Sequence, residues 1–156
     1  MACGGGSSRG DGEGLPTYWE APDFELVTQQ RDTLTARELR GTVWVGHIFF
    51  TNCTGVCPMT TGRMAQVRDS LSAAGLLGEQ VRLVSFSVDP ARDSVPVLQE
   101  WAARYGASSP SNWAFLTGDR PDRIRRMIQQ GFKLSAQLPP DTAGGYQVSH
   151  SPRVLL

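Results

Sequence analysis

The chain has no excess charge of either sign, no long apolar run and few cysteines or histidines. Its 156 residues include 15 lysines and arginines against 15 aspartates and glutamates, so the formal net charge at pH 7 is zero. That balance gives no electrostatic support for a nucleic-acid or anionic-membrane partner. No apolar run approaches the roughly 20 residues that a membrane-spanning helix needs. The 3 cysteines are too few for a disulfide scaffold, so we expect one domain with an apolar core.

The N-terminal segment is rich in glycine, serine and charge, and it lacks the hydrophobic core of a secretory signal. We expect residues 1–16 to be a flexible tether and residues 17–156 to form the domain. Cys3 follows Ala2 and precedes a Gly/Ser run, which is typical of the end of a bacterial lipoprotein signal. Two explanations stay open: a chance cysteine in a cytosolic tail, or a lipid-bearing cysteine whose reading frame begins upstream of Met1.

Strand-like and helix-like segments alternate along the rest of the chain. The patterns predict strands at 23–26, 42–50, 81–88, 113–116, 132–136 and from 153, with helices from 58 to about 75, from 94 and from 121. Thr35 and Glu38 form a capping-box pattern for a further short helix that Gly41 ends. The alternation indicates an α/β domain with a mostly parallel central sheet flanked by helices.

Cys53 and Cys57 lie four residues apart, at the junction of an apolar strand and an amphipathic helix. Pro58 suits the first position of a helix and favours extended geometry in the residue before it, so we expect the helix to begin there. Cys57 would then cap the helix and Cys53 would lie in the preceding loop, where the helix dipole favours thiolate over thiol. Gly55 permits a tight turn between them. The pair can bind a soft metal, cycle between dithiol and disulfide, or form a structural disulfide.

Two histidines are the remaining candidates for a soft-metal site. His47 lies inside the apolar strand, where a core imidazole with a hydrogen-bond partner is the ordinary interpretation. His150 follows a polar loop and precedes the last predicted strand, and functional groups of a parallel α/β sheet gather where strands end and helices begin. Two thiolates and this imidazole suit Cu(I) and can also hold Cu(II), whereas a structural zinc site needs a fourth ligand.

Three blocks of the chain resemble the signature blocks of the SCO/SenC proteins. They are residues 51–58 (TNCTGVCP), 87–93 (SVDPARD) and 148–151 (VSHS), and the similarity runs from about Ala21 to the end. The resemblance implies a thioredoxin-like fold, a membrane-tethered domain on the extracytoplasmic face of a bacterial membrane, and copper delivery to the binuclear copper centre of cytochrome c oxidase. It also implies that Cys53, Cys57 and His150 are the copper ligands.

On that resemblance the chain is a metallochaperone rather than an enzyme. Its partner would be the copper-bearing subunit of the oxidase, with other copper chaperones or thiol reductants beside it, and it would meet the membrane only through a lipid or an N-terminal anchor. The family's final strand and helix would lie beyond Leu156, so we expect a domain shortened at its C-terminal end. Thr54 stands where the family commonly has proline, which loosens the loop. Ser149 stands where it often has aspartate, which removes a carboxylate that could orient the imidazole.

Other functions stay open. In a thiol–disulfide oxidoreductase, Cys53 and Cys57 would exchange disulfides with the same oxidase centre or with another extracytoplasmic protein, although the usual redox motif has two intervening residues and this one has three. A peroxiredoxin-like peroxidase ranks last, because the proline that shapes such a pocket is missing. Asp89, at the end of a strand, is either a turn residue or a charge near the site.

Overall fold

The structure is a computed structural model that describes residues 17–107, 109–137, 149–150 and 154–156, with the backbone alone at 137, 149 and 150. The expected tether, with Cys3, lies outside the described residues. So does the polar loop expected at 137–148, except for its first residue.

Strands and helices alternate over most of the described chain. The strands are β1 (Glu25–Thr28), β2 (Thr33–Thr35), β3 (Val43–Phe49), β4 (Val81–Ser87), β5 (Trp113–Thr117), β6 (Ala136–Gln137), β7 (Ser149–His150) and β8 (Val154–Leu155). The helices are α1 (Val56–Ala73), α2 (Val95–Arg104) and α3 (Pro121–Arg126), with a 3-10 helix over Ala36–Leu39 and a π-helical turn over Met127–Gly131. None of these described helices is both long enough and apolar enough to span a membrane.

The central sheet has the strand order β2-β1-β5-β4-β3-β8, and β6 pairs with β7 in a separate two-stranded sheet. β3, β4 and β5 are parallel, whereas β1 is antiparallel to β2 and to β5, and β8 is antiparallel to β3. The α/β class is therefore confirmed, but the expectation of a mostly parallel sheet is wrong because the sheet is mixed. A tight turn at Arg31, with φ of 71°, joins β1 to β2, and a connection this short links antiparallel strands.

Aromatic side chains fill both faces of the central strands. On one face Phe49 is fully buried, with its ring centroid 5.3 Å from that of Phe115 in β5 and 6.1 Å from that of Trp101 in α2. On the other face Phe86 of β4 is fully buried, 5.1 Å from Phe132 beyond the π-helical turn. Because successive side chains of a strand point to opposite faces, strands covered on both sides become apolar throughout, which explains the composition of β3 and β4.

Local signals predicted some element ends correctly and others wrongly. The capping box is confirmed: the Glu38 amide donates to Thr35 Oγ1 at 3.4 Å, and the Thr35 amide donates to Glu38 Oε2 at 2.8 Å. Most of the strand expected at 132–136 is not a strand. The amides of Phe132 and Leu134 donate instead to carbonyls of the π-helical turn at 3.1 Å, so they end that turn and leave only β6 extended.

Phe49 offers a test of the packing between sheet and helix. Replacing Phe49 with alanine should lower the free energy of unfolding by about 3–5 kcal/mol, because it opens a cavity between buried rings. Val43→Ala is the matched control on the same strand, since Val43 is 54% exposed, and it should change stability by less than about 0.5 kcal/mol. Urea unfolding followed by circular dichroism measures both, and equal losses would show that Phe49 is not a core contact.

Candidate functional site

The two cysteines lie at the edge of the sheet where β3 and β4 end. The parallel register pairs Phe49 with Ser87, so both strands end level with each other. The loop after β3 carries Cys53, and the turn after β4 carries Asp89 and Asp93. This edge is where α/β sheets ordinarily place ligand-binding groups.

The helix that carries Cys57 begins earlier than the sequence predicts. Gly55 is the N-cap residue and α1 begins at Val56, so Cys57 is the second helical residue and Pro58 the third. The expected start at Pro58 is wrong because none of the first-turn amides has an intrahelical acceptor, so a proline without an N–H is tolerated anywhere in that turn. The Cys57 amide therefore points out of the helix and donates to Cys53 Sγ at 3.4 Å.

The two sulfurs differ in their surroundings. Cys53 is only partly buried, whereas Cys57 is fully buried. Burial raises the pKa of the Cys57 thiol well above its ordinary value, the hydrogen bond with Cys53 raises it further, and a backbone hydrogen bond to Phe50 lowers it. Burial and the contact with Cys53 therefore oppose the thiolate form that the helix terminus favours at Cys57.

A buried carboxylate that sequence reasoning did not single out holds the cysteine loop against the sheet. Asp93 is fully buried, and it accepts hydrogen bonds from the Thr51 amide at 3.2 Å, from the Thr51 hydroxyl and from the Ser87 hydroxyl. Burial raises the pKa of the Asp93 carboxyl, while the hydrogen bonds from Ser87 and Thr51 act in the opposite direction. Thr51 lies two residues before Cys53, so Asp93 fixes the start of the loop that presents that sulfur.

Asp89 is the turn residue that its sequence context suggests. It is 2% exposed, its carboxylate pairs with Arg92 at 3.4 Å, and its carbonyl accepts the amides of Arg92 and Asp93. These contacts shape the turn that brings Asp93 back to Ser87. The signal for Asp93 was available in principle, as an acidic residue closely following a buried strand at the functional edge.

The structure brings together Cys53 and Cys57 but describes only the backbone of His150. Ser149 and His150 form β7, which pairs with β6 in the register Ala136 to His150. Within the side chains that the structure describes, no group of three or more His, Cys, Asp or Glu residues could hold a metal ion. His47 is a core residue, 2% exposed and hydrogen-bonded on both ring nitrogens.

The donor set at this edge fits a soft, low-coordinate metal. The Cys57 amide contacts the sulfur of Cys53, so the two cysteines can act together as thiolate ligands. Thiolate sulfur is a soft ligand that suits Cu(I), as well as zinc and iron–sulfur clusters. The same closeness also allows the two sulfurs to be oxidised to a disulfide.

The α/β fold and the dithiol at the first turn of α1 define a thioredoxin-like domain. The SCO1/SenC family model matches residues 15–156, and the chain belongs to that family. It is 34% identical over 149 residues to the SCO1 protein homolog of Bacillus subtilis strain 168, in an alignment that covers 96% of this chain and 71% of that protein.

Solved structures give the same result. A SCO1/SenC family lipoprotein from Bacillus anthracis superposes with a TM-score of 0.77 at 30% identity, over 87% of this chain and 76% of that chain. BsSco, a member of the Sco family of cytochrome c oxidase assembly proteins in which a disulfide switch was identified, has a TM-score of 0.66 at 35% identity, over 74% and 64%. Copper-bound ScoI from Arabidopsis thaliana has a TM-score of 0.68 at 25% identity, over 86% and 78%.

Asp93 can be tested by removing its carboxylate. Asp93→Ala should lower the free energy of unfolding by about 1–3 kcal/mol, because it leaves buried donors of Thr51 and Ser87 without an acceptor. Asp122→Ala is the matched control, since the Asp122 side chain is 77% exposed and its surface pair with Arg125 should contribute less than about 1 kcal/mol. Urea unfolding measures the free energy of unfolding of both variants. An Asp93→Ala protein as stable as wild type would contradict the role assigned to Asp93.

The difference between the two thiols can be read by alkylation. In reduced, metal-free protein, iodoacetamide should label Cys53 before Cys57, because only thiolate reacts and Cys57 is buried with a raised pKa. As pH rises past 9.0, the ordinary value at which a cysteine is half ionised, labelling of Cys57 should still be increasing. Peptide mass spectrometry measures both rates, and protein unfolded in urea is the control in which the rates should converge. Equal labelling in folded protein would contradict the burial of Cys57.

Proposed function

We propose that this protein binds copper and delivers it to the binuclear copper centre of cytochrome c oxidase, with Cys53, Cys57 and His150 as ligands. The observation that carries the proposal is the pair of cysteines at the start of α1, where the Cys57 amide lies 3.4 Å from Cys53 Sγ. Copper is cargo in this role, so the site must release the ion as well as hold it.

The chemistry of the site suits a transferable Cu(I) ion. Two thiolates supply soft ligands, and a neutral imidazole from His150 completes a three-coordinate set that can also hold Cu(II). The Cys57 amide stabilises negative charge on Cys53, because an N–H donor to an anionic acceptor makes a strong hydrogen bond. A bound cation offsets the cost of ionising the buried Cys57, so metal binding and loss of the Cys57 proton are coupled.

Family membership supports the same proposal. Copper is present in the Arabidopsis ScoI structure, and BsSco belongs to a family of cytochrome c oxidase assembly proteins. The partner that we propose is the copper-bearing subunit of that oxidase, with other copper chaperones or thiol reductants as further partners.

An extracytoplasmic location accompanies this role. The relative from B. anthracis is a lipoprotein, and we propose the same anchoring here through Cys3, with residues 1–16 as the tether and residues 17–156 as the domain. Lipid attachment would place the copper site beside a membrane-embedded oxidase without a membrane-spanning helix in the domain itself.

A thiol–disulfide oxidoreductase is the second candidate function. The specific observation in its favour is that the Cys57 amide contacts Cys53 Sγ, so the two cysteines are neighbours, as a disulfide between them requires. The disulfide switch identified in BsSco supports it as well. His150 separates the two functions, because copper binding requires its imidazole and disulfide exchange does not.

Copper titration tests both functions on the same proteins. Reduced wild type should bind one Cu(I) ion, and Cys53→Ser, Cys57→Ser and disulfide-oxidised protein should each bind at least about tenfold more weakly, because only thiolate sulfur is a ligand. His150→Ala should lose Cu(II) binding and weaken Cu(I) binding by at least about tenfold. Its dithiol–disulfide potential should move by less than about 30 mV. Competition with a chromophoric chelator gives the affinities.

Met59→Leu is the control, because it removes an exposed thioether from α1 without touching the proposed ligands. Equal copper uptake by reduced and oxidised protein would remove the cysteine pair from the site. Unchanged Cu(II) binding together with impaired thiol exchange in His150→Ala would make the oxidoreductase the better description.

A further inference from the structure

A continuous chain of buried hydrogen bonds connects the sheet to the backbone of Cys57. It begins at Trp113 Nε1, which donates to Ser85 Oγ at 2.8 Å, and it continues from Ser85 Oγ to His47 Nδ1 at 2.9 Å. His47 Nε2 lies 3.3 Å from Thr61 Oγ1, which donates to the Cys57 carbonyl oxygen at 2.7 Å.

Every residue of this chain is withdrawn from solvent. Trp113, Ser85, Thr61 and Cys57 are fully buried, and His47 is 2% exposed. Solvent therefore does not compete for these bonds, so each donor and acceptor depends on its protein partners.

The direction of each bond follows from the chemistry at the two ends. An indole nitrogen can only donate and a carbonyl oxygen can only accept, so the Thr61 proton lies on the bond to Cys57. Thr61 Oγ1 must then accept from His47 Nε2, which makes Nε2 the protonated nitrogen. In a neutral ring His47 Nδ1 is then the acceptor, and the Ser85 hydroxyl supplies the proton of that bond. The geometry assigns His47 to the neutral Nε2–H tautomer.

The chain of hydrogen bonds connects four secondary-structure elements. Trp113 is in β5, Ser85 in β4 and His47 in β3, and the register pairs His47 directly with Ser85. Thr61 is in α1, one helical turn after Cys57. The first turn of α1 is therefore attached to three parallel strands at the residue that carries the buried thiol.

The backbone of Cys57 takes part in two hydrogen bonds of the site. Its amide donates to Cys53 Sγ at 3.4 Å while its carbonyl accepts from Thr61. A rotation of this residue would change the position of its own sulfur and that of the hydrogen bond to Cys53 together.

We propose that His47 is a positioning residue for the copper site, acting through Thr61 to fix the backbone of Cys57. This rests on the proposed copper-binding function. In metal sites, groups that hydrogen-bond to the ligand residues contribute about 10–100-fold to metal affinity. We expect a loss in that range when the hydrogen bond between Thr61 and the Cys57 carbonyl is removed.

Two hydroxyls that contact the same carbonyl give a matched comparison. Thr61→Val should weaken Cu(I) binding by about tenfold or more. Thr60→Val should leave it unchanged, because half-buried Thr60 shares its hydroxyl between the carbonyls of Val56 and Cys57 at 3.1 Å and lies outside the chain from His47. Thr61→Ser keeps the hydroxyl and should retain the wild-type affinity.

Two replacements of His47 test the donor separately. His47→Gln places an amide N–H near the position of Nε2 and should retain copper affinity. His47→Asn is too short to reach Thr61 and should lose affinity by about tenfold, as Thr61→Val does. Urea unfolding is measured on all five variants, so that a general loss of stability is distinguished from a change at the copper site.

The outcomes separate this inference from the function on which it rests. A wild type that takes up no Cu(I) overturns the proposed function. Copper uptake by wild type with equal affinities for Thr61→Val and Thr60→Val, or for His47→Asn and His47→Gln, overturns the positioning role. Long-range ¹H–¹⁵N NMR of reduced wild type reads the tautomer directly and needs neither copper nor a folded variant. An Nδ1–H tautomer or a doubly protonated ring would contradict the hydrogen-bond directions assigned to His47.

Discussion

The parallel, in-register pairing of β3 with β4 is the constraint on which the site depends. It sets His47 opposite Ser85 and Phe49 opposite Ser87, so one register places both a buried hydrogen-bond chain and the ends of the two strands. The loop that carries Cys53 and the turn that carries Asp93 therefore begin at the same level. A slip of one residue would move every side chain of one strand to the other face, and it would separate Ser87 from the core side on which Asp93 accepts its hydrogen bond.

At the dithiol, burial has a larger effect on the pKa of Cys57 than the helix dipole has. A charge at a helix N-terminus gains about 0.3–1 kcal/mol, up to about 2 in favourable geometry, whereas full burial can move a pKa by as much as about 3–5 units and each unit corresponds to about 1.4 kcal/mol. At fully buried Cys57 the second effect is the larger, and its pKa is raised. Cys53 is partly exposed and receives the N–H of Cys57. One motif therefore presents two sulfurs that differ in burial and in hydrogen bonding.

The sequence predicts most of the fold, because the strongest signals are local. The apolar runs of β3 and β4, the Thr35 capping box and the start of α3 at Pro121 all depend on neighbouring residues, and the structure has each of them. The β1–β2 hairpin was missed because its turn uses Arg31 at positive φ, where glycine or asparagine is the usual signal. The orientation of β8 was beyond prediction, since two residues carry no directional pattern.

The candidate site was predictable only in its cysteines. Their spacing is visible in the sequence, and the structure places them together at the start of α1. Asp93 was missed because a carboxylate within a polar segment usually lies on the surface. Its burial is produced by Thr51 and Ser87, which are distant in sequence. The partners of His47 were hidden for the same reason.

The one-way hydrogen-bond chain also constrains how this region can vary during evolution. A donor is required where His47 faces Thr61, and an acceptor where it faces Ser85. A substitution that removes the donor or the acceptor at one of these positions leaves a buried polar group without its partner, which costs about 1–3 kcal/mol, unless a second position changes with it. We therefore expect positions 47, 61 and 85 to covary among related proteins, although they lie in three different elements.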